Sequence, residues 1–217
     1  MSKNTLTRIL HNAIPHAEAG RSLDTLHSSD ITKPEFCPRE YYLRASNNRK
    51  PDGQYINTAS KITFAYGNFM SSYMRNVWLR DYAVGDWECI NCGWKESFCK
   101  DPNLRNADRC INEGPCNFAY KELHVTLENS RVSSSLDIAL DIGEGLPIVV
   151  ELKTMGKKEF DGLKAPLTEH LVRSVLYLHN IKSSKYKDSL NTDELILLYT
   201  CKGFGSKNDV VRDYNPK

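Results

Sequence analysis

The sequence predicts an α/β or α+β domain, a sheet of mixed strand directions flanked by helices. Three observations lead there. Segments with helical spacing come first, a meander of alternating strands follows, and one helix and one strand close the order. Leu6, Ile9, Leu10, Ala13 and Ile14 recur at helical spacing until Pro15. "HSSDITKPEFCPREYYLRAS" supplies serine caps and a proline-started helix over 38–46, and "NNRKPDGQ" reads as a loop. From Lys61 to Tyr82 a further helical pattern carries Phe69, Met70, Tyr73, Met74, Val77 and Trp78, with Gly67 interrupting it near its start. "YKELHVTLE" alternates as a strand, and "SSSLDIALDIGEGLPIVVELKTM" reads as two strands around a glycine-rich turn. "PLTEHLVRSVLYLHNIK" is a helix with Leu171, Val175 and Leu178 on one side, and "ELILLYTC" is a last buried strand.

Composition bounds the class. The chain has 217 residues, 40% hydrophobic and 26% charged, as an ordinary soluble globular protein does. A net charge of +2 is too small to establish a polyanion as partner. No run of about 18 apolar residues offers a membrane span. The N-terminus lacks the apolar stretch of a secretory signal. Seven cysteines in such a chain point to metal ligands rather than disulfides, and a cytoplasmic location is expected.

The strand "IVVELKT" poses the functional question, because buried strands do not take charges without a reason. Glu151 and Lys153 share one face and Val150, Leu152 and Thr154 the other. The turn "DIGEGLP" can bring Asp137 beside Glu151. Converging carboxylates repel unless a cation lies between them, and hard oxygen donors suit Mg²⁺ or Mn²⁺. The competing reading is a cross-strand ion pair on a solvent face, since Glu-x-Lys arises roughly once by chance at this charge content. Its placement after Val149-Val150, one hairpin from Asp137, favours the site.

Asp, a hairpin and then Glu-x-Lys resembles the PD-(D/E)XK nucleases. More specifically it resembles the RecB-like branch, with the CRISPR-associated RecB-like exonucleases and many phage nucleases. "HSSDITKPEFCPREYYLR" resembles that branch's Ser…Cys-Pro-Arg-x-x-Tyr helix, "TFAYGNFMSSYM" its Gly-Asn-x-x-His helix, and "HLVRSVLYLHNI" its Gln-x-x-x-Tyr helix. The resemblance runs from Leu26 to Cys201 and implies a restriction-endonuclease-like sheet. It implies that Asp137, Glu151 and the Leu152 carbonyl bind a catalytic Mg²⁺ or Mn²⁺, that Glu122 helps to hold the metal, and that Lys153 positions the attacking water. Tyr177 then lies near the DNA, and Arg173 and Ser71 stand where the family has glutamine and histidine. Arg173 can contact a phosphate there.

Five cysteines lie between Cys89 and Cys116, in a segment, 87–118, that has no amphipathic period and reads as an insertion between a helical part, 1–86, and the sheet and helix of 119–217. Cys89-x-x-Cys92-Gly is half of a zinc knuckle, Cys110 and Cys116 can supply the other half, and Cys99 is the spare. A four-thiolate Zn²⁺ site would supply the folding energy that the segment lacks in apolar residues. Some phage RecB-like nucleases resemble this in carrying a Trp-x-Cys-x-x-Cys-Gly insertion. Cys37 and Cys201 lie outside this segment and read most simply as buried free thiols; the rival iron–sulfur cluster of RecB-like nucleases takes one cysteine from the Cys-Pro-Arg helix, where Cys37 fits, and three from the C-terminal end, where only Cys201 is found. Lys95, Lys100, Arg105 and Arg109 can guide a DNA backbone, although interspersed acids make a solvated surface equally plausible.

The expected function is a metal-dependent deoxyribonuclease, an exonuclease of DNA replication, recombination or repair. The zinc insertion associates it with phages, hence with the host cytoplasm and with phage or host replication and recombination proteins. Two alternatives stay open: a weak or inactive DNA-binding or inhibitory protein on the same fold, and a zinc-based protein-interaction module.

Overall fold

The computed structural model describes residues 25–47, 57–105, 115–127, 131–202 and 211–214. The helix expected over 6–14 lies outside them. The chain is mixed α+β, with two mixed sheets flanked by helices. The strands are β1 (Leu26–His27), β2 (Ala83–Cys89), β3 (Lys95–Lys100), β4 (Phe118–Lys121), β5 (Leu123–Thr126), β6 (Val132–Leu136), β7 (Ile138–Leu140), β8 (Ile148–Met155), β9 (Leu195–Cys201) and β10 (Val211–Tyr214). The smaller sheet has the order β1-β6-β5 and the larger β10-β9-β8-β7-β2-β3, with β4 also paired to β2. In the larger sheet β8 and β9 are parallel and the other pairs antiparallel.

The described helices are α1 (Ser28–Ile31), α2 (Pro38–Ser46), α3 (Thr58–Tyr73), α4 (Lys157–Gly162) and α5 (Thr168–Lys182). Helix α2 starts at Pro38, where the missing N–H has no intrahelical role. Asn57 caps α3, its side chain accepting from Ser60 N at 2.8 Å. A parallel pair needs a crossover, and α4 and α5 provide it between β8 and β9. No helix among the described residues is long and apolar enough to cross a membrane.

Strand β8 divides the core. Val149 joins Leu123, Leu136, Tyr177, Ile181 and Tyr199 on one side. Val150 and Leu152 join Met74, Trp87, Phe118, Tyr120 and Ile138 on the other. Burial on both faces explains the unbroken apolar run that opens this strand.

Two expectations change. The pattern from Lys61 to Tyr82 is not one helix: α3 passes into a π turn at Met74–Trp78 and a 3-10 turn at Arg80–Tyr82. Of its apolar residues Met74 is buried, while Phe69, Tyr73, Val77 and Trp78 are exposed. Segment 87–118, read as an insertion with little to bury, gives β3, the end of β2 and the start of β4 to the larger sheet. Trp87 and Phe118 are among the most buried side chains, and Trp87 meets Tyr120 edge-on at 5.3 Å. The cause lies upstream: β2 begins at Ala83, pairs there with β7, and carries the sheet onward into the cysteine segment.

Gly85 exists for Tyr120. A Cβ there would lie 2.5 Å from ring atoms of Tyr120. The phenol is pinned, accepting from Ala139 N at 3.2 Å and donating to the Val84 carbonyl at 3.4 Å. Gly85→Ala is expected to cost about 1–3 kcal/mol through overpacking, read by denaturant unfolding. Parental stability would show that the ring has room to move.

Candidate functional site

Two changes of sheet build the site. The chain leaves the larger sheet after β4 and enters the smaller one at β5, and Glu122 is the single residue between them. It returns from β6 to β7, and Asp137 is the single residue between those. Leu123 pairs with Leu136, so the two acidic residues flank the same rung and come side by side. The register of Ile138 with Val150 then sets Asp137 beside Glu151. Asp137 Oδ2 accepts from Leu152 N at 2.8 Å, which fastens the bend to β8.

Glu151 is 2% exposed. Its Oε1 is ion-paired with Lys153 and lies 3.5 Å from Arg173 Nη1. Its Oε2 is buried and has no hydrogen-bond partner among the described residues. Burial, and after it the negative charge of Asp137, push the Glu151 carboxyl up to about 7, against the pull of Lys153 and Arg173. A carboxylate whose proton affinity rises on folding stabilises the fold fully below its ordinary value of 4.5, and that contribution is lost as the pH rises to about 7. Without divalent cations, the parent should lose stability across this window relative to Glu151→Gln. A difference in Tm that stays constant with pH would show that Glu151 titrates normally.

Arg75, in the π turn, was not among the residues picked from sequence. Its Nη1 lies 2.7 Å from Glu122 Oε1 and 3.7 Å from Asp137 Oδ1. Ser71, where a metal-binding histidine would stand, is half-buried one turn earlier. The spacing of four between Ser71 and Arg75 was the available signal.

The crossover helix turns an unexpected face inward. Val175 is 65% exposed, and Leu171 and Leu178 are only partly buried. The buried residues are His170, Ser174, Tyr177, Asn180 and Ile181, a face that mixes polar groups with Ile181. Tyr177, expected near the DNA, is 5% exposed, and burial, then Glu151 and Asp137, push its phenol well above the ordinary range. Its side chain packs in the core cluster with Val149, Ile181 and Tyr199. Arg173 bridges Glu151 and α1, donating from Nε and Nη2 to Thr32 Oγ1 at 3.4 Å. His170, also missed, accepts or donates at Nδ1 with the Tyr199 hydroxyl at 2.7 Å. Burial and the charges of Lys153 and Arg173 bring it down to about 4, so the imidazole is neutral.

A second cluster lies at the other end of β2. The sulfur atoms of Cys89, Cys92 and Cys116 lie within 4.8 Å of one another, a trio that can hold a metal ion. Gly93, directly after Cys92, closes the turn at φ +74°, which a side chain would strain, and its N donates to the Cys89 carbonyl at 2.9 Å. Burial pushes the Cys89 thiol up, but the backbone N–H groups of Asn91, Cys92 and Asn117 outweigh it and bring it to about 6, as a thiolate ligand requires. Cys110, the expected fourth ligand, lies outside the described residues. Cys99 sits on β3, where its carbonyl accepts from Trp87 Nε1 at 2.9 Å. Cys37 is exposed, not buried as expected, because it stands at the N-cap of α2; Cys201 is half-buried against the core. Of the basic residues of this segment, Lys100 is tied to Asp141 at 2.8 Å.

No family model and no curated protein matches this chain. A solved structure described as the crystal structure of SSO0001 superposes with a TM-score of 0.44 and 14% sequence identity, over 97% of this chain and 77% of its own.

Proposed function

We propose that this protein is a metal-dependent deoxyribonuclease that hydrolyses phosphodiester bonds, with Asp137, Glu151 and Lys153 as its catalytic unit. The observation that supports it is Glu151 Oε2, a buried carboxylate oxygen with no hydrogen-bond partner among the described residues, beside a second carboxylate. Leaving such an atom unsatisfied costs about 1–3 kcal/mol or more, and a hard divalent cation is the ligand that repays it. Among the described residues only the cysteines form a set of three ligand atoms within 4.8 Å of one another, so Asp137 and Glu151, with the Leu152 carbonyl, would hold Mg²⁺ or Mn²⁺, and Glu122 would have to leave Arg75 to join them. When bound, such an ion would supply Lewis acidity to the phosphoryl oxygen and a more acidic water. Lys153, anchored on Glu151, orients the attacking water and offsets charge that develops on the phosphate. Arg173 approaches the same Glu151 oxygen at 3.5 Å and gives the phosphate a second cation.

The resemblance to RecB-like nucleases agrees with this reading. It suggests exonuclease action on DNA in replication, recombination or repair, with phage or host proteins of those processes as partners, in the cytoplasm. The cysteine trio, with Cys110 or Cys99, is proposed to hold a structural Zn²⁺.

One observation favours a second reading. Arg75, Arg173 and Lys153 already face the three carboxylates, as they would in an inactive DNA-binding protein on this fold. Incubating linear and circular DNA with the protein in Mg²⁺ and then in Mn²⁺ decides between them. Digestion of either form supports the nuclease; a mobility shift without digestion supports the binder.

A further inference from the structure

We propose that Arg75 competes with the divalent cation for the Asp137 side of the site and so sets how tightly this protein holds its metal. The inference rests on the nuclease reading above. Asp137 has two oxygens. Oδ2 is committed to the Leu152 N–H at 2.8 Å, and Oδ1 faces the Arg75 guanidinium at 3.7 Å. A cation that reaches Asp137 through Oδ1 therefore meets a fixed positive charge.

Arg75 itself is held elsewhere. Its close partner is Glu122 at 2.7 Å, and the Asp137 contact is the looser one. The side chain is 14% exposed, and its Nε is buried with no hydrogen-bond partner among the described residues. A guanidinium that serves only as a structural tie has its donors satisfied. This one is anchored by one nitrogen and keeps a buried donor unused. The π turn at Met74–Trp78 carries it, and such turns add a residue to a helix and re-aim its later side chains. On the opposite side, Lys153 and Arg173 both approach Glu151 Oε1 and leave Oε2 without a partner. A cation held by Glu151 Oε2 and Asp137 Oδ1 would therefore meet Arg75 as a like charge at its Asp137 edge. Coupling between the two is reciprocal: the cation weakens the Arg75–Asp137 contact as much as Arg75 weakens the cation.

The test is calorimetric titration of the full-length protein with Mn²⁺, run on the parent, Arg75→Met, Arg75→Gln and, to identify binding at this site, Asp137→Asn. Arg75→Gln keeps a donor for Glu122, so it covers the case in which Arg75→Met folds poorly. Both Arg75 variants should bind Mn²⁺ about tenfold tighter or more at the Asp137-dependent site. Melting gives a second readout. Without divalent cations each variant should melt below the parent, because the carboxylates lose a counter-ion, and saturating Mn²⁺ should raise its Tm by more than it raises the parent's. Asp137-dependent binding confined to the Arg75 variants would also support the proposal. Asp137-dependent binding of equal strength in parent and variants would overturn it and leave the nuclease reading standing. Absence of such binding in the parent and both variants would overturn both.

Discussion

Glu151→Gln is expected to abolish DNA cleavage in Mg²⁺ and in Mn²⁺ while the protein stays folded. The amide keeps the shape of the side chain but removes the charge that a divalent cation needs. The parent's carboxylate is already uneasy when ionised: burial and Asp137 raise its proton affinity. The neutral amide therefore need not destabilise the metal-free fold, even though Lys153 and Arg173 lose their shared partner. Asp137 needs a more careful substitution. Asp137→Ala strands the Leu152 N–H and should cost about 1–3 kcal/mol. Asp137→Asn keeps an acceptor oxygen for that N–H, so its expected signature is lost cleavage with a Tm near the parent's. Lys153→Ala should lower the rate about a hundredfold or more while Mn²⁺ binding survives, because the ammonium acts on water and phosphate rather than on the ion. An ordinary ion pair would behave in the opposite way, with activity intact and about 0.2–1 kcal/mol of stability lost. Digestion of linear and circular DNA beside thermal melting separates these outcomes. A parental rate for Glu151→Gln would place the catalytic site elsewhere.

Removing the metal from the cysteine cluster should damage more than its own corner. The protein as purified is expected to carry about one zinc per chain by elemental analysis. Cys89→Ser, or a strong chelator, should release it and lower stability by roughly 3 kcal/mol or more. Cys89 ends β2 and Cys116 stands two residues before β4, so the cluster clamps the two strands that bury Trp87, Phe118 and Tyr120. Tyr120 N donates to Asn76 Oδ1 at 2.8 Å, and Arg80 donates to the Phe118 carbonyl at 2.7 Å and forms an ion pair with Asp101. These contacts join β4 to the turns around Arg75, and β4 runs directly into Glu122. Loss of the metal should therefore loosen the Arg75–Glu122 pair as well, with cleavage falling alongside the Tm. Iron with visible absorption would overturn the zinc assignment. Loss of metal in Cys110→Ser, or in Cys99→Ser instead, identifies the fourth ligand.

Much of the architecture was legible from short-range patterns. Pro38 marks the start of α2, the alternation and apolar run of "ELILLYTC" mark β9, and the glycine-rich "DIGEGLP" marks the return from β7 to β8. Period two also placed Glu151 and Lys153 on one face, where they meet as an ion pair. These features depend on backbone geometry over a few residues, so neighbouring side chains suffice to reveal them.

The charged surroundings of Glu151 were not legible in that way. Leu171, Val175 and Leu178 lie on one side of helix α5, yet Val175 is outside and His170, Ser174 and Tyr177 are inside. Hydrophobic period assigns the apolar face to the core, but here His170 bonds the Tyr199 hydroxyl at 2.7 Å and Asn180 bonds Ser134 at 2.7 Å, contacts with distant strands that the period does not record. Trp87 and Phe118 looked like parts of a loop-rich insertion because a strand of four to seven residues broken by cysteines and turns shows little alternation; the pairing of β2 with β4 decided their burial. Arg75 reaches Asp137 only because a π turn sets it there and because two sheet switches, one at Glu122 and one at Asp137, bring those residues to one rung. The sequence by itself determined the start of α2, the strands β8 and β9 and the charged pair on β8. The tertiary structure alone decided which charges face one another, because a carboxylate's partners depend on contacts between strands and helices far apart in the chain, and no local period records those.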